Sequence, residues 1–249
     1  MLTSTRRELI LAELASAGEV SVARLASTFG VSTSTIRRDL NTLSSQGRLQ
    51  RVRGGGAIAP VPRPVEHVTT DRAGSLAVLG ARAAALVADR DVVILDIGTT
   101  VAEVARHLRG RRVTVVTPSL AVVDVLRDDP VVELVLLGGV LRRSYLSFVG
   151  SLPEQALSHI TADLCFLGTS GVRDDGSVLD STSIEVPVKR AILDASERRV
   201  LVADADKFPG SGLLAVCGPD RIDVVITTAA ADSPGLTQLH HHDTEVITT

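Results

Sequence analysis

The chain has 249 residues, of which 45% are hydrophobic, so it is long enough for one large domain or two. No apolar run approaches the roughly 20 residues that span a bilayer, and the polar N-terminus has no apolar signal-peptide stretch, so we expect a cytoplasmic protein with no membrane partner. Cys165 and Cys217 are far apart and match no metal or redox spacing, so we expect two buried thiols and no cofactor.

The N-terminal segment predicts a helix-turn-helix. Thr5-Arg6-Arg7-Glu8 has the form of a capping box, and the helix that it opens is expected to end near Gly18. A second, short helix is predicted to begin after Ser21 and to stop at Gly30, and Ser32 is predicted to cap a third. Two helices joined by so short a turn are typical of helix-turn-helix domains, whose second helix enters the major groove of DNA.

The third helix is predicted to have one face for packing and one for binding. Ile36, Leu40 and Leu43 recur at helical spacing and form an apolar stripe. The opposite face carries Ser34, Arg37, Arg38 and Asn41. Because arginine can donate two hydrogen bonds at once to a phosphate or to a guanine edge, this second face suits a DNA groove. Taken alone, the same pattern also fits an ordinary amphipathic surface helix.

The residues after the third helix predict a wing. Gly47 is expected to end the helix, residues 48–53 have the composition of a basic strand, and three glycines at 54–56 form its tip. Such a strand and tip can lie against the phosphate backbone. The predicted DNA contacts are therefore Ser32, Thr33, Ser34, Thr35, Arg37, Arg38, Asn41, Arg51 and Arg53.

The distribution of charge supports a separate DNA-binding domain at residues 1–57. This segment has 8 basic and 4 acidic residues, a net charge of +4, whereas the remainder has 18 and 25, a net charge of −7. The positive potential is thus concentrated where duplex DNA would dock. Phe29 is the only aromatic residue of the segment. Because proteins that bind RNA or single strands commonly stack bases on aromatic side chains, double-stranded DNA is the expected partner.

A linker is predicted at residues 58–71, and a second domain at residues 72–249. Pro60, Pro62 and Pro64 fall within five residues and favour an extended spacer over a continued helix. The two domains should therefore be distinct.

The second domain is predicted to be an α/β domain with a mostly parallel, doubly wound sheet. Apolar runs at residues 92–95, 113–116, 131–137, 164–167, 200–203 and 224–227 alternate with helical stretches at residues 76–88, 101–108, 121–127, 153–159 and 184–196. This alternation indicates βαβ units. The runs lack polar alternation, which is expected when helices cover both faces of the sheet.

Small and polar residues follow several of these predicted strands. They are Asp96, Gly98, Thr99, Thr100, Gly138, Gly139, Thr169, Ser170 and Gly171. In parallel sheets, ligands bind at the carboxyl ends of the strands, so these residues predict a common crevice suited to a small polyhydroxylated anion. The turn at residues 98–100 opens a helix and could bind a phosphate or carboxylate through its N–H groups and hydroxyls, or could be a simple connector.

Lys207 and Glu185 are the charged candidates for this crevice. Lys207 is one of only two lysines, against 24 arginines, and a compact cation at a strand end could meet a phosphate from the side opposite the 98–100 turn. It could instead be a surface lysine paired with a neighbouring aspartate. Glu185 and Lys189 are four residues apart on a predicted helix and could be no more than an i,i+4 ion pair.

No metal site and no catalytic residue are predicted. His240, His241 and His242 are consecutive and would point in different directions on a regular element, so we expect them in a solvated loop. The chain also lacks the zinc-protease, phosphate-loop and nucleophile-elbow motifs.

The motifs together resemble the DeoR family of bacterial transcription regulators, and the resemblance covers nearly the whole chain. It is carried by residues 6–7, 25–26, 31–40, 47, 51–52, 54–55, 96–100, 138–139, 150, 168–171 and 204–208. The resemblance implies a winged helix-turn-helix joined to a sensor domain similar in fold to ribose-5-phosphate isomerase. It also implies a repressor of an operon for carbohydrate or nucleoside use, which a phosphorylated sugar releases from DNA.

The same resemblance assigns roles to the residues of the crevice. It places the phosphate at Gly98, Thr99 and Thr100 with Lys207 nearby, and the sugar near the 168–171 loop and Glu185. There are two departures from the family pattern: Pro118 stands where the family often has Asn, and Arg53 stands where a His often precedes the wing glycines.

Two other functions remain possible from the sequence. The protein could be an active aldose–ketose isomerase fused to a DNA-binding module, with Glu185 as the base that moves the proton. It could also activate transcription instead of repressing it. In each case one winged module offers only a small DNA interface, so a homo-oligomer, dimer or tetramer, is expected.

Overall fold

The computed structural model describes residues 3–17, 19–45, 50–52, 55–57 and 70–249. The chain divides into two compact units, residues 1–63 and 64–249. The predicted helix ends at Gly18 and Gly47, the wing residues Arg53 and Gly54, and residues 58–69 of the predicted linker lie outside the described residues.

The first unit combines helices with a small antiparallel sheet. Its elements are α1 (Thr3–Ala17), β1 (Glu19–Ser21), α2 (Val22–Phe29), α3 (Thr33–Ser45), β2 (Gln50–Val52) and β3 (Gly55–Ala57). The strands pair in the order β1-β3-β2. The core is aliphatic and consists of Ile10, Leu14, Val20, Val22, Leu25, Ile36, Leu40 and Leu43. The apolar stripe predicted for the third helix therefore does face the core.

The turn between α2 and α3 forms as its sequence predicts. Gly30 has a positive φ of 64°, a conformation that costs glycine little, and the next N–H, that of Val31, donates to the carbonyl of Ala26 at 3.1 Å. Ser32 caps α3, because its hydroxyl accepts a hydrogen bond from the N–H of Thr35 at 3.2 Å. The helix-turn-helix and its cap are confirmed.

Gly55 and Gly56, two of the glycines predicted to form the wing tip, are part of the sheet. Gly55 lies in β3, opposite Ser21 of β1, and a Cβ at this position would be 2.0 Å from the carbonyl oxygen of Val20. Only glycine allows the two strands to approach so closely. The sequence did not predict β1 or β3, because strands of three residues carry too little periodicity.

The second unit alternates strands and helices, as predicted. Its elements are α4 (Thr70–Ala84), β4 (Val92–Leu95), α5 (Thr99–Leu108), β5 (Thr114–Thr117), α6 (Leu120–Leu126), β6 (Glu133–Leu136), β7 (Val140–Arg142), β8 (Ser147–Val149), α7 (Ser151–Leu157), β9 (Ala162–Leu167), β10 (Gly171–Val172), β11 (Val178–Asp180), α8 (Val186–Asp194), β12 (Ser196–Ala203), β13 (Leu214–Cys217), β14 (Val224–Thr227), α9 (Pro234–His241) and β15 (Glu245–Thr248).

Seven of these strands form one parallel sheet with helices on both faces. The strand order is β15-β14-β12-β9-β4-β5-β6. One core lies between the sheet and α4, α5 and α6, and a second lies between the sheet and α7, α8 and α9. In β4, for example, Val93 and Leu95 belong to the first core and Ile94 to the second. The predicted doubly wound α/β domain is confirmed.

The order of the strands reverses between β4 and β9. From β4 the chain builds outward through β5 and β6, and from β9 it builds outward in the other direction. Where the order reverses, the loops after the two strands diverge and leave a crevice. The loops that begin at Asp96 and at Gly168 therefore flank the natural ligand site of this sheet.

Three parts of the second unit were not predicted. They are the β7–β8 hairpin, the antiparallel sheet β10-β11-β13, and the final α9 and β15. The strands of the hairpin and of the small sheet are two to four residues long, too short for a clear pattern. The solvated loop predicted at the three histidines was wrong, because His240 and His241 form the last turn of α9 and His242 caps it.

Candidate functional site

The polar face of α3 is open to solvent. Six of the residues predicted to bind DNA are exposed and Thr35 is half-buried; the exposed ones are Ser32, Thr33, Ser34, Arg37, Arg38 and Asn41. Within the described residues, neither Arg37 nor Arg38 forms an ion pair that would have to break before DNA binds. Arg51 lies in β2, and Arg53 is outside the described residues.

A buried ion cluster fixes the rotation of α3 about its own axis. Asp39 is 2% exposed and accepts hydrogen bonds from Nε of Arg6, at 2.6 Å, and from Nε of Arg7, at 3.0 Å. Arg7 also donates to the hydroxyl of Thr42 at 3.3 Å. Since α1 holds α3 through Asp39, the preceding Arg37 and Arg38 are directed outward. The sequence analysis used Arg6 and Arg7 as part of a capping box and of the family resemblance, and it did not predict this contact.

Replacing Asp39 with Asn is expected to destabilise the first unit by about 3 kcal/mol, because two partly or fully buried guanidiniums lose their counter-charge. DNA binding should fall in parallel, although Asp39 faces away from solvent. Urea unfolding followed by circular dichroism measures the change. The matched control is Glu13→Gln, which breaks the more exposed pair with Arg24 and should cost under about 1 kcal/mol. Equal costs for both variants would contradict the proposed role of the cluster.

In the second unit, three charged side chains meet where the strand order reverses. Asp96 follows β4 and accepts a hydrogen bond from the N–H of Gly168 at 3.0 Å, which joins the loops after β4 and β9. Lys189 of α8 forms a buried ion pair with Asp96, donates to the carbonyl of Gly168 at 2.8 Å and lies 3.6 Å from Asp180. Gly168 is required here, because a Cβ would lie 2.7 Å from the carbonyl oxygen of Ile97.

Lys189 remains an ammonium ion in this environment. Burial by itself would lower its pKa, but the nearby carboxylates, first Asp96 and then Asp180, outweigh burial and raise the pKa above its ordinary value. The side chain is 3% exposed. It is therefore a fixed, fully charged centre that organises the crevice.

The β7–β8 hairpin covers the crevice. Its backbone pairs with the turn after β5, where the N–H of Phe148 donates to the carbonyl of Pro118 and the N–H of Leu120 donates to that of Leu146, each at 2.8 Å. The hydroxyl of Ser147 donates to Glu185 at 2.8 Å. The hairpin thus connects the end of β5 with the start of α8.

Glu185 is buried and forms an ion pair. Its Oε1 lies 2.7 Å from Nη1 of Arg142, at the end of β7. Burial raises the pKa of Glu185, and the charges of Lys189 and Arg142 act in the opposite direction. The predicted i,i+4 partnership between Glu185 and Lys189 is replaced in the structure by separate partners, Arg142 for the glutamate and Asp96 for the lysine.

A small cavity remains under the hairpin. It is lined by Asp96, Ile97, Pro118, Ser147, Phe148, Val149, Glu185, Val188 and Lys189. Its volume of about 10 Å³ is room for roughly one water molecule. Pockets that hold small-molecule ligands are usually some hundreds of Å³, so this crevice must open before a sugar ester can enter.

The turn at residues 98–100 is built as an anion site would be. Gly98 has a φ of 110° and stands at the start of α5, with Thr99 and Thr100 as the first, half-buried residues of that helix. A glycine suits this backbone, and the free N–H groups of a first helical turn favour an anion.

The other predicted residues are distributed around this centre. Gly138 and Gly139 precede the hairpin. The hydroxyl of Thr169 lies 2.8 Å from two carbonyl oxygens to which it can donate, that of Gly171 in β10 and that of Leu179 in β11. The hydroxyl of Ser170 accepts from the N–H of Ser181 at 3.1 Å.

The structure does not bring Lys207 to the cavity. It ends a short 3₁₀ turn after β12 and is half-buried, and it is absent from the cavity lining. Lys189, the other lysine of the chain, occupies the centre instead. The scarcity of lysine in this chain could have identified Lys189, but the sequence analysis applied it only to Lys207. Arg142, Ser147 and Asp180 had no such signal in the sequence.

Both cysteines should resist alkylation in the native protein. Burial raises the pKa of Cys165 to about 12 and that of Cys217 to about 11. At pH 8 the thiolate fraction of either is therefore about one in a thousand or less. Iodoacetamide followed by mass spectrometry should label neither thiol within an hour and both in guanidinium. Rapid labelling of native Cys165 would show that this part of the sheet opens.

The described residues contain neither a metal cluster nor a membrane segment. No group of three or more His, Cys, Asp or Glu side chains there could hold a metal ion. None of the helices in the described ranges combines the length and the apolarity that crossing a bilayer requires.

The fold and the two sites define a class of protein, a DNA-binding helix-turn-helix followed in one chain by an α/β ligand-binding unit. Residues 6–60 match the DeoR-like helix-turn-helix domain, and residues 77–229 match the DeoR C terminal sensor domain. The chain belongs to the DeoR family and is a transcription regulator.

Individual relatives cover most of the chain. It is 34% identical to a protein named as an aga operon transcriptional repressor of Escherichia coli O157:H7, over 98% of this chain and 93% of that one. It is also 34% identical to the glycerol-3-phosphate regulon repressor of Escherichia coli K12, over 85% of each chain. An L-fucose operon activator of Haemophilus influenzae is 28% identical over 89% of this chain and 90% of its own.

Among solved structures, ribose 5-phosphate isomerase A of Methanocaldococcus jannaschii overlaps 53% of this chain and 52% of its own, with a TM-score of 0.40 and 16% identity. A likeness this distant carries no argument about function.

Proposed function

We propose that the protein represses an operon for carbohydrate or nucleoside use and that a phosphorylated sugar releases it from operator DNA. The observation that carries the proposal is the presence, in one chain, of an exposed arginine face on α3 and of a ligand crevice where the strand order of the sheet reverses. The first can bind DNA without breaking an ion pair in the described residues. The second can couple that binding to a small molecule.

The names of the relatives support this direction. The aga operon and glycerol-3-phosphate regulon repressors both carry the word repressor, and the second is named for a phosphate ester. The L-fucose operon activator favours one alternative, activation of a sugar operon by the same kind of chain. A reporter gene behind the operator distinguishes the two, because deletion of a repressor raises expression and deletion of an activator lowers it.

The DNA contacts are proposed on α3 and the wing. The exposed hydroxyls and guanidiniums between Ser32 and Asn41 would enter the major groove, and the wing strand, with Arg51 and Arg53, would follow the phosphates. One such module buries too little surface for tight specific binding, so we propose that two or more copies act on repeated half-sites.

The effector is proposed to bind in the crevice. Its phosphate would take the N–H groups and hydroxyls of residues 98–100, where the positive end of the α5 dipole favours an anion. Residues 168–171 and Glu185 would lie near the sugar hydroxyls. The crevice lining includes Lys189 and not Lys207, so a contact between Lys207 and the phosphate has less support than one with the 98–100 turn.

The proposal is tested by footprinting and ligand screening of the full chain. DNA upstream of the protein's own gene is digested with and without the protein, and a panel of phosphorylated sugars is screened by thermal shift. We expect a protected, repeated sequence and at least one sugar ester that raises the melting temperature and removes the protection. Turnover of an ester by the pure protein, abolished by Glu185→Gln, would instead support the isomerase.

A further inference from the structure

Arg142 is held by few partners for a buried arginine. Its side chain is 17% exposed, and Nη1 contacts one carboxylate oxygen, that of Glu185 at 2.7 Å, and the hydroxyl of Thr182 at 3.1 Å. The guanidinium also lies over the ring of Tyr145, 3.9 Å from its centroid. A single carboxylate oxygen does not satisfy a guanidinium, which can donate two parallel hydrogen bonds to one anion.

One oxygen atom of Glu185 closes the hairpin onto α8. Oε1 accepts from Arg142 and also from the hydroxyl of Ser147, and these two residues stand on opposite strands of the β7–β8 hairpin. We call Arg142, Ser147 and Glu185 the latch. The hairpin is also attached by the hydrogen bond from Arg142 to Thr182 and, on its other side, by the pair of backbone hydrogen bonds to the turn after β5. Breaking the latch would therefore free one side of the hairpin and leave it hinged on the other.

Of the two cations near the cavity, Lys189 and Arg142, only Arg142 can exchange its carboxylate partner without breaking the central ion pair. Around the cavity there are three carboxylates, Asp96, Asp180 and Glu185, and two cations. Lys189 is fixed by two of the carboxylates and by the carbonyl of Gly168. Arg142 pairs with the remaining carboxylate, Glu185, so its release leaves the ion pair between Lys189 and Asp96 intact. Glu185 lines the cavity and Arg142, which contacts it, does not, so an anion in the cavity reaches the guanidinium only after Glu185 has moved.

We propose that Arg142 binds the phosphate of the effector together with the turn at residues 98–100, and that Glu185 takes the place of the phosphate at Arg142 in the effector-free protein. A phosphate monoester can accept two hydrogen bonds from the guanidinium where Glu185 accepts one, so the exchange favours the ligand. The exchange opens the latch and lets the hairpin move, which gives the ligand a preference for one of two states. The inference rests on the proposed function and adds the residue through which the ligand is sensed.

The latch is tested first without ligand, by amide hydrogen exchange of the full chain. In Glu185→Gln, the amides of residues 140–149 should exchange about tenfold faster than in wild type, as expected when a charged hydrogen bond is weakened. Glu245→Gln is the matched control, because it breaks the exposed pair with Arg198 at 2.9 Å. The control should leave the hairpin unchanged. Equal hairpin exchange in Glu185→Gln and wild type would overturn the latch.

The partner exchange is tested by titrating the full chain with inorganic phosphate at constant ionic strength, and the response is the heat of binding measured by calorimetry. Wild type should respond to phosphate, Glu185→Gln should respond at about tenfold lower concentration, and Arg142→Met should not respond. Arg142→Lys keeps the cation without the bidentate fork and should respond weakly. Arg198→Met should behave as wild type. If Glu185→Gln and Arg142→Met both weaken the response, the pair has only a structural role and the proposal fails.

The proposed function fails by a different result. If the wild-type protein protects no DNA upstream of its own gene, the proposed operator is wrong. The exchange rates of the hairpin amides do not depend on that assay. If wild-type protein binds DNA normally but shows no response to phosphate, the exchange of partners at Arg142 is contradicted. Release from DNA would then require another ligand or another site.

Discussion

Replacing Arg37 and Arg38 together with alanine is expected to lower operator affinity roughly 30-fold or more. An arginine that reads a base or clamps a phosphate contributes about 1–3 kcal/mol, so the pair contributes about 2–6 kcal/mol if both reach the DNA. Both side chains are exposed, so the fold should be unaffected. Fluorescence anisotropy with a labelled operator duplex measures the loss, and circular dichroism verifies that the variant is folded.

The matched control removes the same number of charges from elsewhere. Arg106 and Arg127 are exposed on the second unit, and among the residues that the structure describes their ion-pair partners are the nearby Glu103, Asp124 and Asp128. Their double replacement with alanine should change operator affinity less than about threefold, through long-range electrostatics alone. Similar losses in the two double variants would mean that α3 does not contact the DNA.

Replacing Lys189 with Met is expected to destabilise the second unit by about 3–5 kcal/mol, because buried Asp96 and Asp180 are left without their cation. Lys207→Met is the matched control and should cost under about 1 kcal/mol, since Lys207 is only half-buried. Adding Asp96→Asn to Lys189→Met should recover part of the loss. Chemical unfolding of each variant gives the values, and equal costs for the two lysines would contradict the central role of Lys189.

The same variant has a predicted pH dependence. Burial already raises the pKa of Asp96 in the presence of Lys189, and loss of the lysine should raise it further. A carboxyl whose pKa is higher in the folded state stabilises the fold when protonated, so this stability is lost as the pH rises through the folded pKa. The deficit of Lys189→Met should therefore be larger at pH 8 than at pH 5. A deficit independent of pH would contradict the assignment.

The sequence predicted the regular parts of the fold because they are repetitive. Most of the parallel strands lie in short runs rich in apolar residues, and the helices between them have an apolar face, so length and period separate the two. The parallel strand β15 has only Val246 and Ile247 as apolar residues and was not predicted. The β7–β8 hairpin and the β10-β11-β13 sheet lack this signal, because their strands are short. These missed elements place Arg142, Ser147 and Asp180.

The candidate site was predicted where it depends on local sequence, and missed where it depends on distant contacts. Asp96 and the 98–100 turn follow a strand directly, and their position could be inferred from the rule for parallel sheets. The pairs Lys189–Asp96 and Asp39–Arg6 join residues 93 and 33 positions apart. Nothing in one sequence indicates which of many charged residues such long-range pairs will select.

We propose that a phosphorylated sugar controls the affinity of α3 for operator DNA. The most direct measurement is the affinity of the full chain for its operator duplex, titrated with each sugar ester that raises the melting temperature, and with the same sugar lacking phosphate. We expect that one ester lowers operator affinity at least about tenfold and that the free sugar does not. Arg142→Met should remove the response to the ester. Tight operator binding that no bound ester alters would contradict it.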